Sequence, residues 1–294
     1  MEVAVGSDLG IWQKQQSDAY LSESLAPNVT LLGVADGFGV IGRGTPTAHL
    51  ALATVRDFLR RRQRRGAFGA RLSTPSHLRS LLLAALDHAN ARLFAQSGSH
   101  EDFVGSGASL TTVMVVGHHA FVAHVGDSRA YLLRLGRLET LTTDDEIFAE
   151  PGLGNTKTTI PAKPLMRGLL WRSLGTQPKL EVSIFHYELL AGDQLVLCTD
   201  GIHRCVAADE IGDTLDNAES AADAVGHLLG VAKQRGTIDN ATLIVGRELL
   251  IPAHPAVSSG TRLDRLRAAI ALLLLAAVAV SFAVYVYRFG FITH

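Results

Sequence analysis

SLTTVMVVGHHAFVAHVGDSRAYLLRLGR, residues 109–137, decides the fold. Three apolar runs of strand length, 109–116, 120–125 and 130–135, follow one another almost without a gap. They are rich in Val, Thr and aromatic residues, which suit a pleated surface. The breaks are short: Gly117-His118 lies between the first two runs, and Gly136-Arg137 follows the third. A two-residue connection containing glycine joins strands running in opposite directions, because a parallel pair needs a crossover of about a dozen residues. The stretch predicts consecutive antiparallel hairpins.

Further strands are expected on either side, at 30–35 (TLLGVA), 194–198 (QLVLC) and 241–245 (ATLIV). Helical spacing marks 47–65, which follows Pro46, and 76–96, where Leu78, Leu81, Leu82, Ala85, Leu86, Ala89 and Leu93 share one face. A third helix is expected over 218–235. Strands in runs with helices grouped between them indicate an α+β layered fold rather than a parallel βαβ one. Residues 143–173 show no clean period and read as a long irregular insertion.

The 294 residues carry 27 basic and 28 acidic side chains, a formal charge of -1. That balance argues against bulk nucleic-acid binding. Cys198 and Cys205 form no CxxC pair, so neither a disulfide framework nor a thiolate zinc site is indicated. The opening MEVAVGSDLG lacks the basic-then-apolar pattern of a secretory signal, and the expectation is a cytoplasmic catalytic part. Near the other end, 268–287 (AAIALLLLAAVAVSFAVYVY) is uncharged and long enough to span roughly 30 Å as a helix. Arg262, Arg265 and Arg267 precede it, and Tyr285, Tyr287 and Phe289 cluster at its end. These flanks predict a single-pass anchor in the cell inner membrane with the large N-terminal part inside. The expected organisation is a domain over 1–248, a linker and basic segment over 249–267, the span over 268–287, and a short tail, 288–294.

Aspartates interrupt the apolar strands. Asp36 ends TLLGVAD, Asp200 ends QLVLCTD, Asp239 precedes ATLIV, Asp127 follows AFVAHVG, and Asp18 ends a polar stretch. A carboxylate beside core strands is costly unless it is paired or metal-bound. Gly37 and Gly201 follow their aspartates and Gly126 precedes its own; glycine there lets backbone approach an ion, and its carbonyl can itself be a ligand. Oxygen ligands suit magnesium or manganese, and two such ions can activate a water and neutralise phosphoryl charge.

VADGFG (34–39), GSGASLTTV (105–113), HVGDSRAYL (124–132), LTTDD (141–145), LCTDGIHRCV (197–206) and DNATLIV (239–245) together resemble the PPM-type, or type 2C, serine/threonine protein phosphatases. The resemblance runs over about residues 3–246, and GDSR, the TDG after a strand and DN-A-T are its most specific pieces. It implies two packed antiparallel sheets flanked by helices on both outer faces. It also implies hydrolysis of phosphoserine and phosphothreonine on proteins, without a phosphoenzyme, by direct attack of a hydroxide bridging two Mn2+ or Mg2+ ions. By position, Asp36 resembles the ligand bridging both ions and Gly37 the ligand acting through its carbonyl. Asp200 and Asp239 match the aspartates of the first ion, which makes Asp36 and Asp239 the residues on which catalysis depends. Asp18 matches the acid that holds water around the second ion. Asp127 matches the acid that, with Asp200, holds a third, weaker ion in bacterial members. Residues 143–173 take the place of the family's variable flap. Phosphoproteins, and a serine/threonine kinase acting on them, are the implied partners.

The chain departs from the family where phosphate is gripped. Gln13 stands where an arginine binds phosphate, Gln16 where an asparagine precedes the acidic pair, and Val40-Ile41 and Gly44-Thr45 replace further glycine-containing pairs. Lys14 is the neighbouring candidate for substrate binding, as a point charge rather than a fork. These changes motivate a second reading, a membrane-tethered pseudophosphatase that binds phosphoproteins or a kinase without turnover. GFGVIG (37–42) also matches the dinucleotide pattern GxGxxG, but no second parallel strand ends in an acid after the helix. Arg60, Arg61, Arg62, Arg64 and Arg65 read as a solvated helix end. His49, His118 and His119 read as surface residues, and His203 as a neighbour of Asp200 within reach of substrate.

Overall fold

A computed structural model of the chain describes residues 1–39, 45–68, 74–97, 105–146 and 170–247. They belong to one compact unit, Met1–Leu250; a second unit, Ile251–His294, lies outside the described residues, and with it the expected membrane span. Among the described residues no helix is long and apolar enough to cross a membrane. Most of the expected flap, 147–169, and the end of the GFGVIG pattern also fall outside them.

Two five-stranded antiparallel sheets form the unit. One contains β2 (Asp18–Ala26), β3 (Val29–Phe38), β4 (Gly107–Val116), β5 (His119–Val125) and β8 (Ser183–Glu188), in that order. The other runs β1 (Glu2–Asp8), β10 (Ala241–Arg247), β9 (Gln194–Cys198), β6 (Arg129–Arg134) and β7 (Arg137–Thr140). The stretch 109–137 thus supplies β4 and β5 to one sheet and β6 to the other, crossing between them at Gly126-Asp127. The β4–β5 turn falls at Gly117-His118, with Gly117 at φ 59°. The next hairpin turns on Leu135-Gly136, one residue earlier than expected, with φ 50° and 73°. Positive φ at both central residues matches the twist of the flanking strands.

The burial pattern explains why the strands read as continuous apolar runs. Leu32, Val34, Val113 and Val122 of one sheet pack between the sheets against Leu132, Leu195, Leu197 and Ile244 of the other. On the outer face of the first sheet, Leu31, Leu110, Met114 and Phe121 meet α1 (Thr45–Arg64) and α2 (Pro75–Ser97). On the outer face of the second, Tyr131, Leu133, Val196 and Val245 meet α4 (Ala208–Asn217) and α5 (Ala221–Gln234). Alternate residues of each central strand therefore enter different cores, and both must be apolar. Each fully buried Leu or Phe contributes about 1.5–3 kcal/mol. This is the layered arrangement of helices, sheet, sheet and helices that the resemblance implied.

β1, β2, β8, α4 and a further helix, α3 (Asp200–His203), escaped the sequence reading, and one helix was misplaced. α3 is a single turn, and β1, β2, β8 and α4 are half-exposed, so their patterns are diluted with polar residues. The helix expected over 218–235 starts at Ala221, because Ser220 caps it by accepting a hydrogen bond from the Asp223 amide.

Candidate metal centre

The strand ends place the aspartates. Asp18 opens β2 and faces Asp36 of β3 directly across the ladder, with Ser109 of β4 on the far side of Asp36. Asp200 starts α3 (Asp200–His203) immediately after β9, and Asp239 lies just before β10. Asp127 sits in the crossing between β5 and β6. Both sheets thus contribute acids to one site, and the charges of Asp18, Asp200, Asp127 and Asp239 all act on Asp36.

Two glycines are required here by close packing. A Cβ on Gly126, at φ 102°, would lie 2.4 Å from the Cβ of Ser109. A Cβ on Gly201 would lie 2.1 Å from the carbonyl oxygen of Asn240. Larger residues at either position would displace Asp127 or Asp200.

The electrostatics is that of crowded, buried acid. Burial, and then the charges of Asp18, Asp200, Asp127 and Asp239, hold the Asp36 carboxyl well above the usual carboxylate range. Asp18 is pushed up to about 7 by burial, against hydrogen bonds from Thr199 and Thr242, with the charge of Asp200 adding to the rise. Asp200 is pushed up to about 6 by burial, although Arg204 opposes the shift. Asp127 is raised by burial and by Asp200, again against Arg204.

Among the described residues no three acidic or imidazole groups surround a single point at ligating distance. The carboxylates are turned toward the protein's own donors. Thr199 Oγ1 donates to Asp18 Oδ2 at 2.8 Å, and Gln13 Nε2 donates to Asp239 Oδ1 at 3.0 Å. Arg204 reaches Asp200 Oδ2 at 3.2 Å and Asp127 Oδ2 at 3.1 Å. Even so, Oδ1 of Asp18 and Oδ1 of Asp200 are buried with no hydrogen-bond partner. An unsatisfied buried acceptor costs about 1–3 kcal/mol, more when charged. Divalent cations would satisfy both atoms and offset the mutual repulsion. Asp18, Asp36, Asp200 and Asp239 offer hard oxygen donors, so the residues fit magnesium or manganese.

Several expectations change in detail. Gln13 does not simply leave a gap where an arginine was expected; it holds Asp239, 226 residues away in sequence. Gln16 Nε2 donates to Ser7 Oγ at 2.6 Å, while its Oε1 accepts from the Asp18 amide at 3.2 Å, so it fixes the start of β2. Lys14 is exposed on the same loop. His203 is not poised for substrate: its Nε2 donates to the Asp127 carbonyl at 2.9 Å, and burial holds its pKa down to about 3. His49 is exposed on α1. His119 is half-buried, not a free tip residue, with its Nδ1 3.0 Å from His186 Nε2.

Asn240, Thr199, Arg204 and Asp145 were missed by sequence reasoning. Asn240 Oδ1 accepts from the Ser17 amide at 2.6 Å, and its Nδ2 donates to Leu9 O at 2.9 Å, which pins the 9–17 loop beside Asp239. Asp145 Oδ2 accepts from the Gly126 amide at 3.0 Å, while its Oδ1 pairs with Arg172 at 2.5 Å. The signal was present for Asn240 in the DN pair, and for Asp145 in LTTDD. Nothing local marked Thr199, which donates to the distant Asp18, or Arg204, which joins the nearby Asp200 to the distant Asp127 and Glu146.

The Protein phosphatase 2C family matches residues 13–244. The serine/threonine protein phosphatase PstP of Mycobacterium tuberculosis is 29% identical over 248 residues, covering 83% of this chain; the chain spans 44% of that relative's length. A putative 2C-type phosphatase of Streptococcus pyogenes is 27% identical over 245 residues, 83% of this chain and 96% of its own. Among solved structures, the catalytic domain of PstP in complex with two manganese ions superposes with a TM-score of 0.67. It is 27% identical, with 83% of this chain and 96% of that one covered. The matched span contains all five aspartates and both sheets except β1 and the end of β10, so fold, acid placement and sequence agree that this chain belongs to the protein phosphatase 2C family.

Proposed function

We propose that this chain is a metal-dependent protein phosphatase that hydrolyses phosphoserine and phosphothreonine esters. The observation that carries the reading is the gathering of buried acids from both sheets, with Asp18 Oδ1 and Asp200 Oδ1 left unpartnered. Asp36, the Gly37 carbonyl, Asp200 and Asp239 would hold two divalent ions, with Asp18 acting through water. When bound, Mn2+ or Mg2+ would supply an acidified water and neutralise charge on the phosphoryl oxygens. The manganese in the PstP structure supports that choice of metal.

The chain's own residues orient this machinery. Thr199 fixes one oxygen of Asp18 and leaves the other without a hydrogen-bond partner. Gln13 fixes one oxygen of Asp239, and Asn240 holds the loop that carries Gln13. No arginine stands at position 13 to grip phosphate, which predicts weak substrate binding rather than absent chemistry. Retention of every acid argues against the pseudophosphatase.

The uncharged run over 268–287, with arginines before it and aromatics at its end, supports a single-pass inner-membrane anchor with the catalytic unit on the cytoplasmic side. Phosphoproteins at that membrane, and the kinase that phosphorylates them, are the partners this placement favours. The test is release of phosphate from phosphothreonine peptides by the full chain in Mn2+. Activity that Asp36→Asn abolishes supports the reading, and activity indifferent to that change contradicts it.

A further inference from the structure

Arg204 ends α3 as its C-cap residue. Its guanidinium meets three carboxylates brought from three separate segments. Nε lies 3.2 Å from Asp200 Oδ2, and Nη2 lies 3.1 Å from Asp127 Oδ2 and 2.7 Å from Glu146 Oε1. Asp200 belongs to the β9–α3 junction, Asp127 to the crossing between the sheets, and Glu146 to the segment after β7. Asp127 and Asp200 are almost completely buried, at 4% and 6% exposure.

From this arrangement we infer that Arg204 is a resident cation of the metal centre, standing between Asp127 and Asp200 where a third divalent ion would otherwise bind. The inference rests on the two-ion reading given above and concerns what lies beside those two ions. The Asp200 carboxylate is divided: Oδ2 faces Arg204, while Oδ1 has no hydrogen-bond partner and stays available to the first ion. A guanidinium is permanently charged, planar and rich in donors, so it can neutralise several acids at once without occupying a ligand position of a metal. An ion coordinated by Asp127 and Asp200 together would have to displace the arginine from the Oδ2 atoms of both. Arg204 is thus a positioning residue: it aims Asp200 and ties Glu146 to the rim of the site.

The chain should therefore saturate with two divalent ions. Titrating the full chain with Mn2+, and following free Mn2+ by electron paramagnetic resonance, counts them directly. The expected wild-type count is two per chain, and Arg204→Met should gain a third class of site, weaker than the first two by about tenfold or more. Arg204→Lys, which keeps the charge, should remain at two. Asp127→Asn in the wild-type background should also leave the count at two. A wild-type count of three, or a count that falls when Asp127 is neutralised, would overturn the inference even if Arg204→Met does not fold. An Arg204→Met protein that folds and binds only two would also overturn it. A wild-type chain that binds no Mn2+ would instead overturn the metal-dependent reading itself, so the two failures are distinguishable.

Discussion

Asp18 and Asp36 stand directly opposite each other across the β2–β3 ladder, two acids in register at the end of the pair. Both carboxyls are buried with raised pKa values, so ionising the two together is costly unless a cation lies between them. Asp36→Asn should therefore stabilise the metal-free protein while removing its activity. A gain of ~1 kcal/mol corresponds to a rise in melting temperature of about 2–4 °C for a unit of this size. Thermal melts in chelator and phosphatase assays in Mn2+ check the two halves. A variant less stable than wild type without metal would contradict this account of the pair.

The same crowding sets a pH dependence. Asp18 and Asp200 have their native pKa values raised, to about 7 and about 6, principally by burial. Between the unfolded value near 4 and these native values, the folded state binds more protons than the unfolded one. The stabilising contribution of these groups is fully present below the unfolded pKa and is lost as pH rises through about 6 to 7. Metal-free protein should accordingly lose stability over that window. Protons compete with metal for the same oxygens, so Mn2+ affinity should increase through the same window. Melting temperatures at pH 5, 6, 7 and 8, with and without Mn2+, should diverge as pH rises. Parallel curves would contradict the assignment.

Asp145 and Arg172 form an ion pair with side-chain exposures of 3% and 13%. Asp145 also exchanges backbone hydrogen bonds with Gly126 and Trp171, so it ties the Asp127 turn to the segment around 171. Removing one member of such a pair leaves a buried charge, at a cost of about 3–5 kcal/mol. Arg172→Ala should destabilise by that amount in urea titrations, whereas the exposed pair of Arg60 and Glu23 should matter far less. Equal losses from the two disruptions would show that burial is not what distinguishes them.

Gln13→Arg tests the missing phosphate grip. A charged donor contributes about 1.5–3 kcal/mol, so kcat/KM should rise by about tenfold or more, chiefly through KM. Unchanged KM with lower kcat would indicate that the hydrogen bond from Gln13 to Asp239 matters more than any added charge.

The central strands, the β4–β5 turn and the five acids were legible because each depends on local pattern: apolar runs, turn glycines, and carboxylates where strands end; the entry of β5 and β6 into different sheets was not. β1 and β2 were not, because only tertiary pairing makes EVAVGSD and DAYLSESLA strands; apart from the buried Asp18, their polar residues are exposed or half-exposed. The network around the acids was less legible still. Gln13 looked like a lost function until its partner, Asp239, appeared beside it from the opposite end of the domain. Arg204 follows Asp200 by one helical turn, but its other partners, Asp127 and Glu146, lie 77 and 58 residues away in sequence. Sequence patterns located the acids, but only the fold reveals what each acid touches.

The most direct test of the metal centre is phosphate release from a phosphothreonine peptide by the full chain, measured in Mn2+, in chelator, and with Asp239→Ala. The account predicts turnover in Mn2+, none in chelator, and loss of roughly 100-fold or more in the variant. Turnover that survives both chelation and Asp239→Ala would contradict it.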